Sequence, residues 1–416
     1  MREKIFGAVI ILFMTTASAS PDLESEKLIV GKSGTVCPGA KFSTINSAIS
    51  AAPPGAEVEI CPALYDEQVV VNKPLWLHGR RTNNVARVLI QPSKFALAAS
   101  LGFEAVIAVV NTAGVTIDHL ALDASLNTVA SCTPGLAVIH FHNASGKVAD
   151  NAIFGAQLTD PTGCAHGIPF GNGFGVQVDS NASSPQAVVV ENNSIHDYTA
   201  NGVLIENAGV SARVEHNGIS GVGPIGGVFQ FGIFVANGAV GHIVGNVISE
   251  GNCGTLAIAD CIAVRSEGVT LRAVGNGTVV EGNIINKAQS GIFINGGSRI
   301  RVTNNIIGNI DAMSGMDIQG SASGYLTDSV ISDNTIFHVG PIDANASINE
   351  EGCGINEYSG TGVSGNSITN NTVNDAYCAV ASVGADFVDD VHAHNTLYDT
   401  LNADSYPNVF PTAVEP

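Results

Sequence analysis

Apolar residues recur at alternate positions along most of this chain, in short runs broken by Gly, Asn and Asp, as in "VVEGNIINKAQSGIFING" at 279–296. Alternation over a few residues predicts strands, and the turn residues between them predict tight corners. One beat repeats. An Asn stands at 151, 193, 217, 246, 283, 305, 334, 366 and 395, and two residues after each comes Ile or Leu. Three residues before it the side chain is apolar, until His392 breaks the rule. Asp118 takes the Asn place in "VTIDHLAL", so the series is expected to begin earlier. After each beat come a stretch of variable length and a second strand: "NGVLIE", "FGIFVA", "DCIAVR", "SGIFIN", "SGMDIQ" and "CGINEY".

A unit of about 22 to 30 residues, built from short strands and corners, predicts an all-β parallel solenoid whose coils pair about 4.8 Å apart. A dozen coils would make a rod about 55 Å long. Asn suits the corner because it tolerates left-handed backbone angles, and because its amide can donate to one coil and accept from the other. These Asn residues are expected to be structural. Only "FSTINSAISAAPPG" has a helical pattern: Ile45, Ala48, Ile49 and Ala52 fall on one face, Ser43 can cap the start and Pro53-Pro54-Gly55 ends it. An open solenoid end exposes apolar surface, so this helix is predicted to cap it.

Ahead of the repeats, Arg2 and Lys4 precede an apolar run over 5–14 and the small residues Ala17-Ser18-Ala19. That order predicts a signal peptide over 1–19, one solenoid domain over 20–398 and an irregular tail over 399–416, where Pro407 and Pro411 intrude. No other apolar run is long enough to cross a bilayer, so a secreted or periplasmic monomer without membrane insertion is expected. With 17 Lys and Arg against 37 Asp and Glu, the net charge is −20. Such a field repels nucleic acid and anionic membranes. An anionic polysaccharide would need a local basic groove or a bridging cation such as Ca²⁺, and no other cofactor is implied. The eight cysteines fall as Cys37/Cys61, Cys132/Cys164, Cys253/Cys261 and Cys353/Cys378. Of roughly a hundred possible pairings, the sequential one is expected in an exported chain.

The segment "FSTINSAISAAPPGAEVEICPALYDEQVVVNKPLWLHG", together with the "VxxNxI…GIxV" coils, resembles the right-handed parallel β-helix, or pectin-lyase-like, superfamily with its PbH1-type repeats. Its opening third is similar to the start of pectin methylesterases and of periplasmic β-helix proteins with carbohydrate-binding and sugar-hydrolase repeats. The catalytic motifs of those relatives are missing: no Gly-Arg-Pro-Trp turn, no Gly-His-Gly, no Asp-Pro-His-Asp, and only an isolated Asp389-Asp390. The resemblance implies a fold and transfers no catalytic residue.

In this superfamily the outer face of the "GIxV" strands commonly forms the substrate groove. Alternation places there Gln177 and Asp179, Leu204 and Glu206, Phe234, Ala263 and Arg265, Phe293 and Asn295, Asp317 and Gln319, and Asn356 and Tyr358. Arg265, Glu206, Asp317 and Asp179 are the catalytic candidates, because a carboxylate can give or take a proton and an Arg can neutralise a uronate. Asp179 and Glu206, on adjacent coils, should shift each other's pKa. Phe234, Phe293, Asn295, Gln319, Asn356, Tyr358 and Gln177 are the substrate-binding candidates, the two rings standing two coils apart. The alternatives are plain: rings covered by loops at 223–231 or 340–352, carboxylates that only meet solvent, and an Arg265 salt bridge. His140 and His142, one coil before Asp179, could hold a metal or act as a base, with Asp160 and His166 on the loop at 154–175 overhanging them. The resulting expectation is a protein that acts on a polysaccharide as a lyase or glycoside hydrolase, or one that only binds it.

Overall fold

In the computed structural model the described residues are 26–32, 37–81, 87–164, 171–223, 229–250, 265–311, 313–320, 325–340, 352–358, 363–383 and 395–398. Strands from successive coils stack into three long sheets, here sheets 1, 2 and 3, and every pairing in them is parallel. Sheet 1 has twelve strands, from Lys27–Val30 to Ser367–Thr369; sheet 2 has eleven, from Val69–Val71 to Cys378–Val383; sheet 3 has twelve, from Leu64–Tyr65 to Thr396–Tyr398. One coil visits each sheet once, as Phe174–Asp179, Gln186–Glu191 and Ser194–Tyr198 do before Asn201–Glu206 begins the next. The protein is a right-handed parallel β-helix.

Apolar residues in register fill the cylinder. Ile139, Val176, Val203, Ile233, Val269, Ile292, Met316 and Ile355 form one buried row along sheet 2. The residue before each of the later members is Gly, and the reason is steric. A Cβ on Gly202 would lie 2.7 Å from the carbonyl oxygen of Gly232, and one on Gly232 would lie 2.6 Å from that of Gly268.

The Asn beat forms a buried ladder running 151, 193, 217, 246, 283, 305, 334, 371 and 395, with each Nδ2 donating to the next Oδ1 at 2.8 to 3.1 Å. Two rungs correct the sequence reading. Leu120 holds the first place, donating its N–H to Asn151 Oδ1, so Asp118 lies outside the ladder. Asn371 holds the place expected of Asn366, which instead accepts the N–H of Ser329. The left-handed backbone also belongs to a neighbour: Asp150, Asn192, His216, Asn304, Asp333 and Asn370 have φ between 54° and 59°, each just before a ladder Asn. The ladder Asn is therefore selected by its amide, and the residue before it by its tolerance of left-handed angles.

Helix α1 spans Ile45–Ala51 and buries Ile45, Ala48 and Ile49 against strands of sheets 1 and 2. Its cap is Thr44 rather than Ser43, accepting from the Ser47 N–H, while the Glu67 carboxylate accepts from the N–H groups of Ile45 and Asn46. Cys37–Cys61 and Cys132–Cys164 are bridged as sequential pairing predicts. Cys353 is also disulfide-bonded and stands opposite Cys378 in the register. No helix among the described residues is long and apolar enough to cross a membrane. The expected signal peptide and tail, Cys253, Cys261, His166, Asp389, Asp390 and the side chain of Tyr358 lie outside the described residues.

Candidate functional site

The register of sheet 2 aligns two outward columns. One runs His140, Gln177, Leu204, Phe234, Thr270, Phe293, Asp317 and Asn356; the other runs His142, Asp179, Glu206, Ala236, Arg272, Asn295, Gln319 and Tyr358. All the predicted columns hold except at one coil. There the strand is Ser266–Arg272, so Thr270 and Arg272 replace Ala263 and Arg265. Gly268 occupies the steric glycine row, and this signal in "SEGVTLR" outranks "DCIAVR", which has Cys where the row needs Gly.

At one end of the face the columns converge on Asp179. The carboxylate can only accept, so both imidazoles donate to it: His140 Nε2 to Oδ2 at 2.9 Å and His142 Nδ1 to Oδ1 at 2.5 Å. The Asn143 amide donates to His142 Nε2 at 3.1 Å, which identifies that nitrogen as the one carrying the lone pair. His140 is 3% exposed, with Phe103 against its ring at 3.9 Å between centroids, whereas the His142 side chain is 30% exposed. Gln177 Nε2 bridges the coils, 3.3 Å from both Asp179 Oδ2 and Glu206 Oε1.

The two carboxyls of this cluster are driven apart. Burial, reinforced by the charge of Asp179, pushes Glu206 up to about 7, against a smaller opposing effect of Gln177. Burial acts upward on Asp179 too, but the hydrogen bonds and charges of His140 and His142 outweigh it and hold Asp179 below the usual carboxylate range. The site therefore pairs a carboxylate that favours its ionised form, Asp179, with a carboxyl raised to about 7, Glu206, beside the two imidazoles. This is the pattern that separates an acid from a base in one site.

Three donor atoms of His140, His142 and Asp179 lie within 4.8 Å of one another, so the cluster has the residues to hold a metal. Its own hydrogen bonds already occupy both Asp179 oxygens and both nitrogens of His142.

An apolar belt of Phe174, Leu204, Phe231, Phe234 and Ala236 follows. Phe234 is 1% exposed and packs edge-on to Phe231, 5.0 Å between centroids, so it offers no face to a sugar. Beyond the belt lies a second polar group. Glu267, missed by the sequence reading, is buried beside Thr270; burial, with Asp317 adding, pushes it up to about 7 although Arg265 and Thr270 oppose. Asp317 accepts from Asn356 at 3.1 Å and Ser290 at 3.4 Å. Arg265 is outside the columns: its guanidinium lies 3.9 Å from Glu267 and 5.7 Å over the Phe293 ring, which is itself buried. Arg272 is exposed on this face, and Asn295 meets Gln319 at 3.3 Å. Asp160 is exposed. Glu250, raised to about 8 by burial against the opposing bonds from Tyr198 and Gly221, lies inside the cylinder, out of reach of a substrate.

No protein-family model matches the chain, and neither does any curated protein sequence. Solved structures with a similar course include the A-module of the mannuronan C-5 epimerase AlgE6 of Azotobacter vinelandii (13% identity, 87% of this chain and 95% of that one, TM-score 0.48). Others are an alginate lyase of Paenibacillus sp. (13%, 85% and 94%, 0.42) and PfbA, a surface adhesin of Streptococcus pneumoniae (12%, 82% and 89%, 0.48). At these levels the likeness is one of architecture, and by its own sheets the chain is a right-handed parallel β-helix.

Proposed function

We propose that this is an exported polysaccharide-cleaving enzyme whose reaction takes place on the outer face of sheet 2, at Glu206 and the His140–Asp179–His142 cluster. Glu206, protonated, delivers its proton to the glycosidic oxygen as the bond breaks. As substrate takes the place of the Asn143 amide, His142 Nε2 takes a proton from an attacking water or from the sugar carbon beside the bond, and Asp179 fixes its tautomer and stabilises the imidazolium that forms. Gln177 keeps the two carboxyls in step, and Arg272, two coils on, is placed to meet a negative group on the chain. The observation that carries this reading is geometric: Asp179 bonded by two imidazoles and joined through Gln177 to the largely buried carboxyl of Glu206 on the next coil.

This proposal gives no catalytic step to Arg265, which lies 3.9 Å from Glu267, or to Asp317, which accepts from Asn356 and Ser290. The purified protein, incubated with a panel of neutral and uronate polysaccharides with and without Ca²⁺, should generate new reducing ends. An accompanying ultraviolet absorbance from an unsaturated sugar would mark elimination, and its absence hydrolysis. Binding with no new ends from any chain it binds would sink the catalytic reading in favour of a binding protein.

A further inference from the structure

A second histidine–carboxylate cluster lies on sheet 1, away from the face just described. His78 is the penultimate residue of the strand Leu75–Gly79, Asp118 ends the next strand of the sheet, Val115–Asp118, and the two are register partners. His119 follows in the corner with φ 58°, the left-handed position that Asp150 and Asn192 hold in later coils. That conformation turns its ring back toward Asp118. His78 Nδ1 lies 2.7 Å from Asp118 Oδ1, and His119 Nδ1 lies 3.3 Å from the same oxygen.

We propose that His78, Asp118 and His119 form a binding site for a divalent transition-metal ion of the zinc class. Their donor atoms all lie within 4.8 Å of one another. Ligands at zinc bond lengths around a tetrahedron are about 3.3 Å apart; His119 Nδ1 already stands at that spacing from Asp118 Oδ1, and His78 Nδ1, now at hydrogen-bond distance, would move out by about 0.6 Å to admit the ion. The protein's own hydrogen bonds do not complete the cluster: His119 Nδ1 is buried, and the 3.3 Å approach lacks the alignment of a hydrogen bond. A bound cation would satisfy it. Trp76 supports the carboxylate from behind, its indole N–H donating to Asp118 Oδ2 at 2.9 Å and leaving Oδ1 to face both imidazoles. Such outer partners orient first ligands in metal sites. Two imidazoles and one carboxylate suit Zn²⁺ and its neighbours and disfavour Ca²⁺ and Mg²⁺, which take oxygen ligands. The ligands come from two adjacent coils, so the ion would pin those coils together. Nothing in this depends on whether sheet 2 is catalytic.

Trp76 is the chain's one tryptophan, so its emission reports the site in the unmodified protein. Oxidised, full-length protein is titrated with Zn²⁺ and separately with Co²⁺, following Trp76 emission, Co²⁺ visible absorption and calorimetric heat. The expected result is a saturable change in Trp76 emission at one equivalent, quenched by Co²⁺ and restored when Zn²⁺ displaces it. Asp118→Asn, nearly isosteric, and His78→Ala should each weaken binding by about 100-fold or more, beyond the loss typical of an outer-shell change. His142→Ala should leave the Trp76 signal intact. No ion-dependent change in Trp76 emission, or binding that survives Asp118→Asn and His78→Ala but is lost in His142→Ala, would overturn the assignment.

Discussion

Glu206→Gln preserves the shape of the side chain and its place beside Gln177 while removing a group that titrates at about 7 rather than at 4.5. An unfolded chain releases this proton near 4.5, whereas the folded protein keeps it until about 7. Across that window the unfolded state binds fewer protons, so the wild type loses stability as pH rises and has lost the full amount above about 7. At about 1.36 kcal/mol per pH unit, a displacement of about 2.5 corresponds to a ceiling of about 3 kcal/mol. Glu250 and Glu267 shift in the same direction but are common to both proteins and cancel in the comparison. Urea unfolding of wild type and variant, followed by circular dichroism from about pH 4.5 to about pH 8, should show the difference in stability moving by about 2 to 3 kcal/mol in favour of Gln. Two curves that stay parallel across the window would show that Glu206 titrates normally and would remove the acid from the proposed mechanism.

Other consequences are independent of that site. Asn283→Ala strips one rung from the ladder, leaving the N–H and amide of Asn246 and the carbonyl of Ile243 without their partner. It should cost about 3 kcal/mol or more in urea unfolding, since each buried group left unpaired costs about 1 to 3 kcal/mol. Gly232→Ala forces a Cβ to 2.5 Å from Ile248 Cγ2 and 2.6 Å from the Gly268 carbonyl oxygen; a loss of about 1 to 3 kcal/mol is expected by the same assay. Paired Cys37→Ser and Cys61→Ser opens a loop whose ends are 24 residues apart, which should lower stability by about 3.5 kcal/mol; reduced wild type should match the double variant if that bridge dominates.

The solenoid was legible because two of its constraints fall on fixed residue types. Apolar rows recur at alternate positions, and a buried amide ladder admits Asn at almost every rung. The same regularity misled where a coil broke it. Leu120 fills a rung with no amide, and Asn366 carries the Asn-x-Ile pattern while belonging to a different corner, so spacing alone chose wrongly at both. Arg265 was misplaced because its coil contains two alternating apolar runs, "DCIAVR" and "SEGVTLR", and only the second has the Gly that close approach to the next coil's carbonyl requires. His140, His142 and Asp179 could be aligned by counting, but the hydrogen bonds that give each imidazole its role depend on side-chain direction across coils. Glu267 was invisible for the same reason. The burial of Phe234 follows from Phe231, a neighbour three residues earlier that alternation did not mark as facing outward with it.

The central claim is that Glu206 works as an acid on this face, and the pH profile of cleavage tests it most directly. On a polysaccharide the wild type cleaves, kcat/KM should fall as pH rises through about 7, where Glu206 gives up its proton, and Glu206→Gln should lose about 10²- to 10⁴-fold in kcat. Rates that stay level to about pH 8.5, with Glu206→Gln as active as wild type, would contradict the account.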